Sequence, residues 1–211
     1  MYLGRIVGVG MTPSGNGTVM YRVSSRSFPN REAVANGDAI AIMPRAGFED
    51  DLKKSPYITY NCFRTAGNYA IASNGSHTDP ITEKIAMGMS PRDAISLGLL
   101  AMDYEKDDYD TPRIISVVSK TEAKGWLGII RKDGLIVREF ALKPGEIYYV
   151  STYEHSLPCA HYMDKAFSAE TAAEVCQYSV DGGVFADFEF PVTAAAAVVI
   201  DSKVTTATQT I

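Results

Sequence analysis

The 211-residue chain is 46% apolar and 21% charged, with 20 basic and 25 acidic side chains for a net charge of −5; this composition excludes intrinsic disorder and collagen-like order. Its longest unbroken apolar run, Ala194 to Ile200, is far short of the ~20 residues that cross a bilayer. The opening Met-Tyr-Leu-Gly-Arg lacks a basic-then-apolar signal pattern, so a cytoplasmic protein with no membrane partner is expected. Charge is divided unevenly. The first 31 residues hold Arg5, Arg22, Arg26 and Arg31 and no acid, a segment of +4, so the remaining 180 carry −9. An acidic chain without a basic stripe is ill suited to polynucleotides, which are held by neutralising many phosphates, and no nucleic-acid partner is expected. A compact group of arginines still suits one small phosphate.

In chain order, Tyr2–Val9 and Thr18–Ser25 read as strands around a glycine-rich loop at 10–17. Asp38–Met43 is a short apolar run stopped by Pro44. Tyr57–Arg64 and Tyr69–Ser73 flank Gly67-Asn68, a hairpin signal. The period then lengthens, and 78–89 and 91–106 read as helices. The second opens with Ser90 as cap, Pro91 in the first turn and Asp93 behind it. Strands resume at 112–119, at 126–130 with 135–140 joined by Lys132-Asp133-Gly134, and at 146–153. A helix over 168–180 opens on Ser168 and closes near Gly182-Gly183. The segment 188–200 reads as strand despite Pro191. No repeat or linker divides the sequence, so one domain, 1–211, is expected. The order lacks regular βαβ alternation and predicts an α+β fold of antiparallel sheets with helices outside.

Familiar phosphate and nucleophile signatures are missing. The glycines at 8, 10, 15 and 17 precede a strand instead of the helix that a dinucleotide loop requires. There is no P-loop and no nucleophile elbow. Cys62, Cys159 and Cys176 form no paired motif and fit a reduced compartment. His155, Cys159 and His161 form one metal-like grouping, but a single cluster around Pro158 reads better as loop side chains, and no metal is expected.

Four polar clusters stand out. In the stretch 21–31, Arg22, Ser24 and Arg26 share one side of an extended chain, and Ser27 and Arg31 follow. Tyr60-Asn61-Cys62-Phe63-Arg64 is the second. Ser73-Asn74-Gly75-Ser76-His77-Thr78 lies where a strand meets a helix; its backbone N–H groups suit an anion or a developing oxyanion, although Ser76 or Thr78 serves equally as a simple cap. The fourth, Asp103 to Asp108, has five charged residues of six, four of them acidic, at the end of an apolar helix. Carboxylates there oppose the helix dipole, which raises their pKa toward values useful for proton transfer; a solvated, frayed helix end is the plainer reading for Asp107 and Asp108.

These strings, together with Thr-Pro-Arg-Ile at 111–114, Ser-Thr-Tyr-Glu at 151–154 and Pro-Val-Thr-Ala-Ala-Ala-Ala at 191–197, resemble the archaeal-type inosine monophosphate (IMP) cyclohydrolases along nearly the whole chain; 155–185 matches least. The resemblance implies a fold like the N-terminal-nucleophile hydrolases, an αββα sandwich of two antiparallel sheets. It also implies closure of 5-formamido-1-(5-phosphoribosyl)imidazole-4-carboxamide to IMP, the last step of purine synthesis, without cofactor. Tyr2 follows Met1, so the terminal nucleophile usual in that superfamily is not expected here. The expected partners are the purine nucleotide and further copies of the chain.

Matching residues to this reaction gives Glu105 as first choice for proton transfer, with Asp103 and His77 as competitors. Tyr60, Asn61, Asn74 and the backbone at Gly75 and Ser76 are candidate donors to the formyl oxygen. Arg22, Arg26 and Arg31, with Ser27, are expected at the phosphate, and Arg113 and Tyr153 at base or ribose. Two alternatives stand beside this reading: an amidohydrolase on the same scaffold, and a purine-nucleotide sensor without turnover.

Overall fold

The computed structural model describes all 211 residues. In chain order the strands are β1 (Ile6–Met11), β2 (Gly17–Ser24), β3 (Arg31–Asn36), β4 (Ala39–Pro44), β5 (Tyr60–Ala66), β6 (Tyr69–Ser73), β7 (Arg113–Ser119), β8 (Lys124–Arg131), β9 (Gly134–Ala141), β10 (Glu146–Ser151), β11 (Met163–Asp164), β12 (Pro191–Ile200) and β13 (Lys203–Thr210). The helices are α1 (Thr78–Ala86), α2 (Pro91–Met102) and α3 (Ala172–Asp181). One sheet has six strands in the order β11-β10-β1-β2-β12-β13, the other seven, β3 to β9 in sequence, and every pairing is antiparallel.

Three apolar layers fix the stacking. The largest lies between the sheets, where Val7, Tyr21 and Val23 of one meet Ile42, Phe63 and Ile114 of the other. Ile6, Met20 and Ala194 on the outer face of the six-stranded sheet pack against Val175 and Cys176 of α3. Ile71, Ile115 and Ile130 on the opposite outer face pack against Ile81 and Ile85 of α1 and Ile95 and Leu99 of α2. The layers therefore run helix, sheet, sheet, helices, as an α+β sandwich. Both faces of each sheet are covered, so central strands such as β2 and β7 are buried at every position. No helix is long and apolar enough to cross a membrane.

Several boundaries depart from expectation. β1 begins at Ile6, because Gly4 (φ +70°) turns the arm before it. α2 stops at Met102, where Asp103 adopts φ +56°. α3 starts at Ala172; Thr171, not Ser168, caps it through a reciprocal pair with Glu174. Ser90 caps α2 by accepting from the Asp93 N–H. The edge strands β3 and β13 lack a clear apolar alternation: β3 buries only Arg31 and Ala33, and in β13 exposed Thr205, Thr206, Thr208 and Thr210 are interspersed with half-buried Val204, Ala207 and Gln209. A hairpin turn through Asp201 and Ser202, both at positive φ, returns β13 along β12.

Candidate active site

A cavity of about 520 Å³ opens where the arm before β1, the β2–β3 connection, the loop before β5, the loop after α2 and the loop after β10 converge. Of the sequence-nominated residues, Arg26, Ser27, Arg31, Glu105 and Tyr153 line it. Arg5, Tyr57 and Asp107 join them.

The arm that delivers Arg5 is held by its backbone. Thr152 and Tyr153 donate N–H bonds to the carbonyls of Arg5 (2.9 Å) and Leu3 (3.1 Å). A Cβ at Gly4 would lie 2.2 Å from Thr152 Oγ1, so the close approach requires glycine. Arg5 Nη2 then donates to Glu105 Oε2 at 2.8 Å.

Glu105 is fully buried. Its N–H donates to the Thr111 carbonyl at 2.8 Å, and Asp107 ties the same loop by accepting from Thr111 N (2.8 Å) and Oγ1 (2.7 Å). On the other side of the carboxylate, Arg113 Nη1 stands 3.6 Å from Oε1 while Arg113 Nε donates to the Asp103 carbonyl at 2.8 Å. Burial raises the Glu105 pKa above the usual carboxylate range, with Arg5 and Arg113 acting in opposition. A buried carboxyl raised in this way gives up its proton less readily than an exposed one and is suited to proton exchange.

Arg31, also on the cavity wall, is buried, with Nε donating to the Phe28 carbonyl at 3.1 Å. Ser25 Oγ accepts from the Phe28 N–H and tightens the turn that carries Arg26 and Ser27. Arg26 is exposed, its guanidinium 4.2 Å above the Tyr2 ring and 3.6 Å from Glu189. Tyr2, Tyr57, Tyr109 and Tyr153 supply aromatic surface to the same cavity. Tyr153 is fixed by a hydroxyl contact of 3.0 Å to Thr111 Oγ1.

Other nominated residues lie elsewhere. Arg22 is a correction: it faces α3, not the cavity. Its Nη1 donates to the carbonyls of Ser179, Val180 and Phe185, its Nη2 to Phe188, and its Nε to Ser24 Oγ. A buried helix end leaves carbonyls without partners, and a guanidinium satisfies them. Burial pulls the Arg22 pKa down to about 10, so it remains charged at neutral pH.

Asp103 is partly exposed and paired with Lys106, which, with the Tyr104 N–H, holds its carboxyl below the usual range; the raised pKa expected of it is not found. Tyr60 does not line the cavity but lies between the sheets beneath it, its hydroxyl 2.6 Å from that of Tyr21 and close enough to feel the charges of Arg31, Arg5 and Glu105. Asn61 points to the opposite face and donates to Asp79 at 3.0 Å. The Asn74 side chain extends the sheet, donating to the Pro112 carbonyl and accepting from Ile114 N. Ser76 is exposed and caps nothing; the N-cap of α1 is His77, and Thr78 Oγ1 donates back to the Gly75 carbonyl. Gly75 and His77 instead stand directly behind Arg113 and Glu105. His155 stacks on Tyr162 and meets the Tyr149 hydroxyl through Nδ1 at 2.9 Å.

Arg5 was missed as a site residue. It counted toward the basic opening segment, but nothing local separates it from an ordinary surface arginine.

Residues 2–203 match the profile of the family described as IMP cyclohydrolase-like protein. The chain belongs to that family. It is similar to an IMP cyclohydrolase of Methanocella arvoryzae, with 50% identity over 202 residues covering 95% of this chain and 94% of the relative. It is also similar to one of Methanosphaera stadtmanae, at 47% over 197 residues (93% and 94%), and to one of Halobacterium salinarum, at 47% over 186 residues (88% and 90%). The stretch 155–185 packs on the six-stranded sheet and supplies none of the cavity wall.

Proposed function

We infer that the protein is an IMP cyclohydrolase whose cavity closes the formamido-carboxamide ribotide to IMP. The observation that carries the site assignment is the buried Glu105 carboxylate between Arg5 and Arg113, in a cavity that Arg26 and Arg31 also line. A volume near 520 Å³ suits one mononucleotide. Arg26, Arg31 and Ser27 take the phosphate, a dianion that an acidic protein attracts only where arginines gather. The tyrosines flank ribose and base.

An amide nitrogen is a weak nucleophile, so the cavity must first fold the carboxamide onto the formyl carbon. As that C–N bond forms, the nitrogen loses a proton and the formyl oxygen becomes a hydroxyl. The hydroxyl then departs as water with the proton of the formamide nitrogen, leaving the C=N bond of the purine. Glu105 accepts and returns these protons. Arg5 Nε, buried and without a partner in the protein, is the donor offered to the oxygen as charge grows on it. Layer order and resemblance together support the N-terminal-nucleophile-hydrolase-like description; a single working domain, a cytoplasmic setting, self-association and no nucleic-acid partner belong to the same proposal.

The test is to mix purified protein with the formylated ribotide and follow purine absorbance. Stoichiometric appearance of IMP is expected; binding of IMP without turnover would leave a sensor in its place.

A further inference from the structure

Four buried side-chain atoms have no hydrogen-bond partner in the protein: Arg5 Nε, His77 Nδ1, Glu105 Oε1 and Arg113 Nη1. Three of them face one point. An ideal Cβ on Gly75 would stand 2.6 Å from Arg113 Nη1, 3.1 Å from His77 Nδ1 and 3.4 Å from Glu105 Oε1. Glycine at 75 is what lets these three atoms gather, because a Cβ there would collide with Arg113 Nη1.

Their bonding capacities complement a single molecule. His77 Nε2 lies 3.0 Å from the Ile114 carbonyl oxygen, which can only accept, so Nε2 carries the proton and Nδ1 is an acceptor. Burial, with Arg113 nearby, holds the imidazole pKa down to about 3, so the ring is neutral wherever the protein works. Glu105 Oε1 accepts and Arg113 Nη1 donates. The 3.6 Å between Nη1 and Oε1 is too long for a direct hydrogen bond. Two acceptors and one donor are the complement of one water, and buried waters make about three such bonds.

We propose that His77 is a positioning residue for Glu105, acting through one buried water that donates to His77 Nδ1 and Glu105 Oε1 and accepts from Arg113 Nη1. The inference rests on the reading of Glu105 as the proton-transfer group. An O–H bond into Oε1 favours the carboxylate form and so opposes the effect of burial. His77 contributes no charge. Its lone pair orients the water so that the second O–H points at Glu105. The groups facing Glu105 are Arg5 from the arm, Arg31 from β3, Tyr60 from β5, His77 at the start of α1, Asp107 from its own loop and Arg113 from β7. All except His77 are retained in the variants below, so a moved pH limb reports the orienting contact.

The experiment measures kcat and KM against pH for the full chain with the formylated ribotide, in the wild type, His77→Phe and His77→Asn. His77→Phe should lower kcat and move its acid limb upward by about one pH unit, the tenfold change that one hydrogen bond to a charged group commands, with KM little altered. His77→Asn, whose Oδ1 restores an acceptor near Nδ1, should return the limb toward its original place. A limb unmoved in His77→Phe overturns the proposal. Glu105→Gln, measured alongside, separates the two readings: full kcat there removes the Glu105 assignment and this inference with it. Loss of kcat in Glu105→Gln with an unmoved limb in His77→Phe removes only the water. Should His77→Phe fail to fold, a crystal structure of the wild type that shows ordered water decides. Density bonded to all three atoms supports the proposal, and direct closure of Arg113 Nη1 onto His77 Nδ1 overturns it.

Discussion

Arg5 and Glu105, a hundred residues apart in sequence, meet at 2.8 Å, and the carboxylate they share is wholly buried while the arginine side chain is nearly so. The first comes from the arm before β1 in one sheet, the second from the loop between α2 and β7 that feeds the other. Removal of either partner strands a buried charge, which is why the pair tolerates little change.

Glu105→Gln keeps the shape and removes the ionisable group. We expect kcat to fall roughly 10²- to 10⁴-fold with KM within a few-fold of the wild type. In the wild type the base must be ionised, so kcat falls as pH drops through the Glu105 pKa. Because burial raises that pKa, the acid limb should lie above the ordinary carboxylate position near 4.3. The limb should vanish in Glu105→Gln; its persistence would assign the titration to another group.

Arg26→Ala should raise KM for the phosphorylated substrate by roughly tenfold or more, the loss of a charge-assisted contact to phosphate, with kcat little changed. Initial-rate kinetics check this, and a substrate lacking the phosphate should bind wild type and variant alike.

Arg22→Met should leave KM of the folded protein intact and lower stability. Several carbonyls at the end of α3 and the segment after it would lose their donor inside the core, at a cost of about 3 kcal/mol or more. Denaturant midpoints measure it. A KM effect without a stability effect would return Arg22 to the phosphate.

Gly4→Ala should damage both properties at once. The position has φ +70° and no room beside Thr152 and Tyr153, so the arm must move and carry Arg5 off Glu105. A loss of about 1–3 kcal/mol in stability is expected, together with a fall in kcat. Calorimetry and turnover on the same preparation provide the check.

Much of this was legible in the residues. The Ser90 cap, the Gly67-Asn68 turn and the lengthened period over 78–89 and 91–106 each act through neighbours in sequence, and each marked its element, the last overrunning α2 by four residues. The placement of Glu105 on the cavity wall was foreshadowed by a charged cluster directly after a buried helix, which is unusual. Arg26, Ser27 and Arg31 were legible because they sit in a turn dense in arginine and serine.

Arg22 was not. Alternation put it on the same side of β2 as Ser24, but which layer covers that side depends on α3, some 157 residues away. Asn74 likewise read as a polar residue at a helix start, yet its amide substitutes for backbone in a pairing with β7 that only the tertiary fold creates. Asp103 and Glu105 carry the same charge two positions apart. One turns to solvent and a lysine, the other inward to two arginines, because the chain leaves the helix at Asp103 (φ +56°) and bends at Tyr104 between them.

The Tyr21–Tyr60 hydroxyl contact beneath the cavity joins the two sheets close to the place where Arg5 reaches across to Glu105. The Arg5–Glu105 pair is thereby tied to sandwich closure: if the halves slide or part, the pair, and with it the proton transfer proposed for Glu105, is lost before either half loses its own strands. Turnover is a gauge of sheet docking, and on mild heating it should disappear ahead of the far-ultraviolet signal.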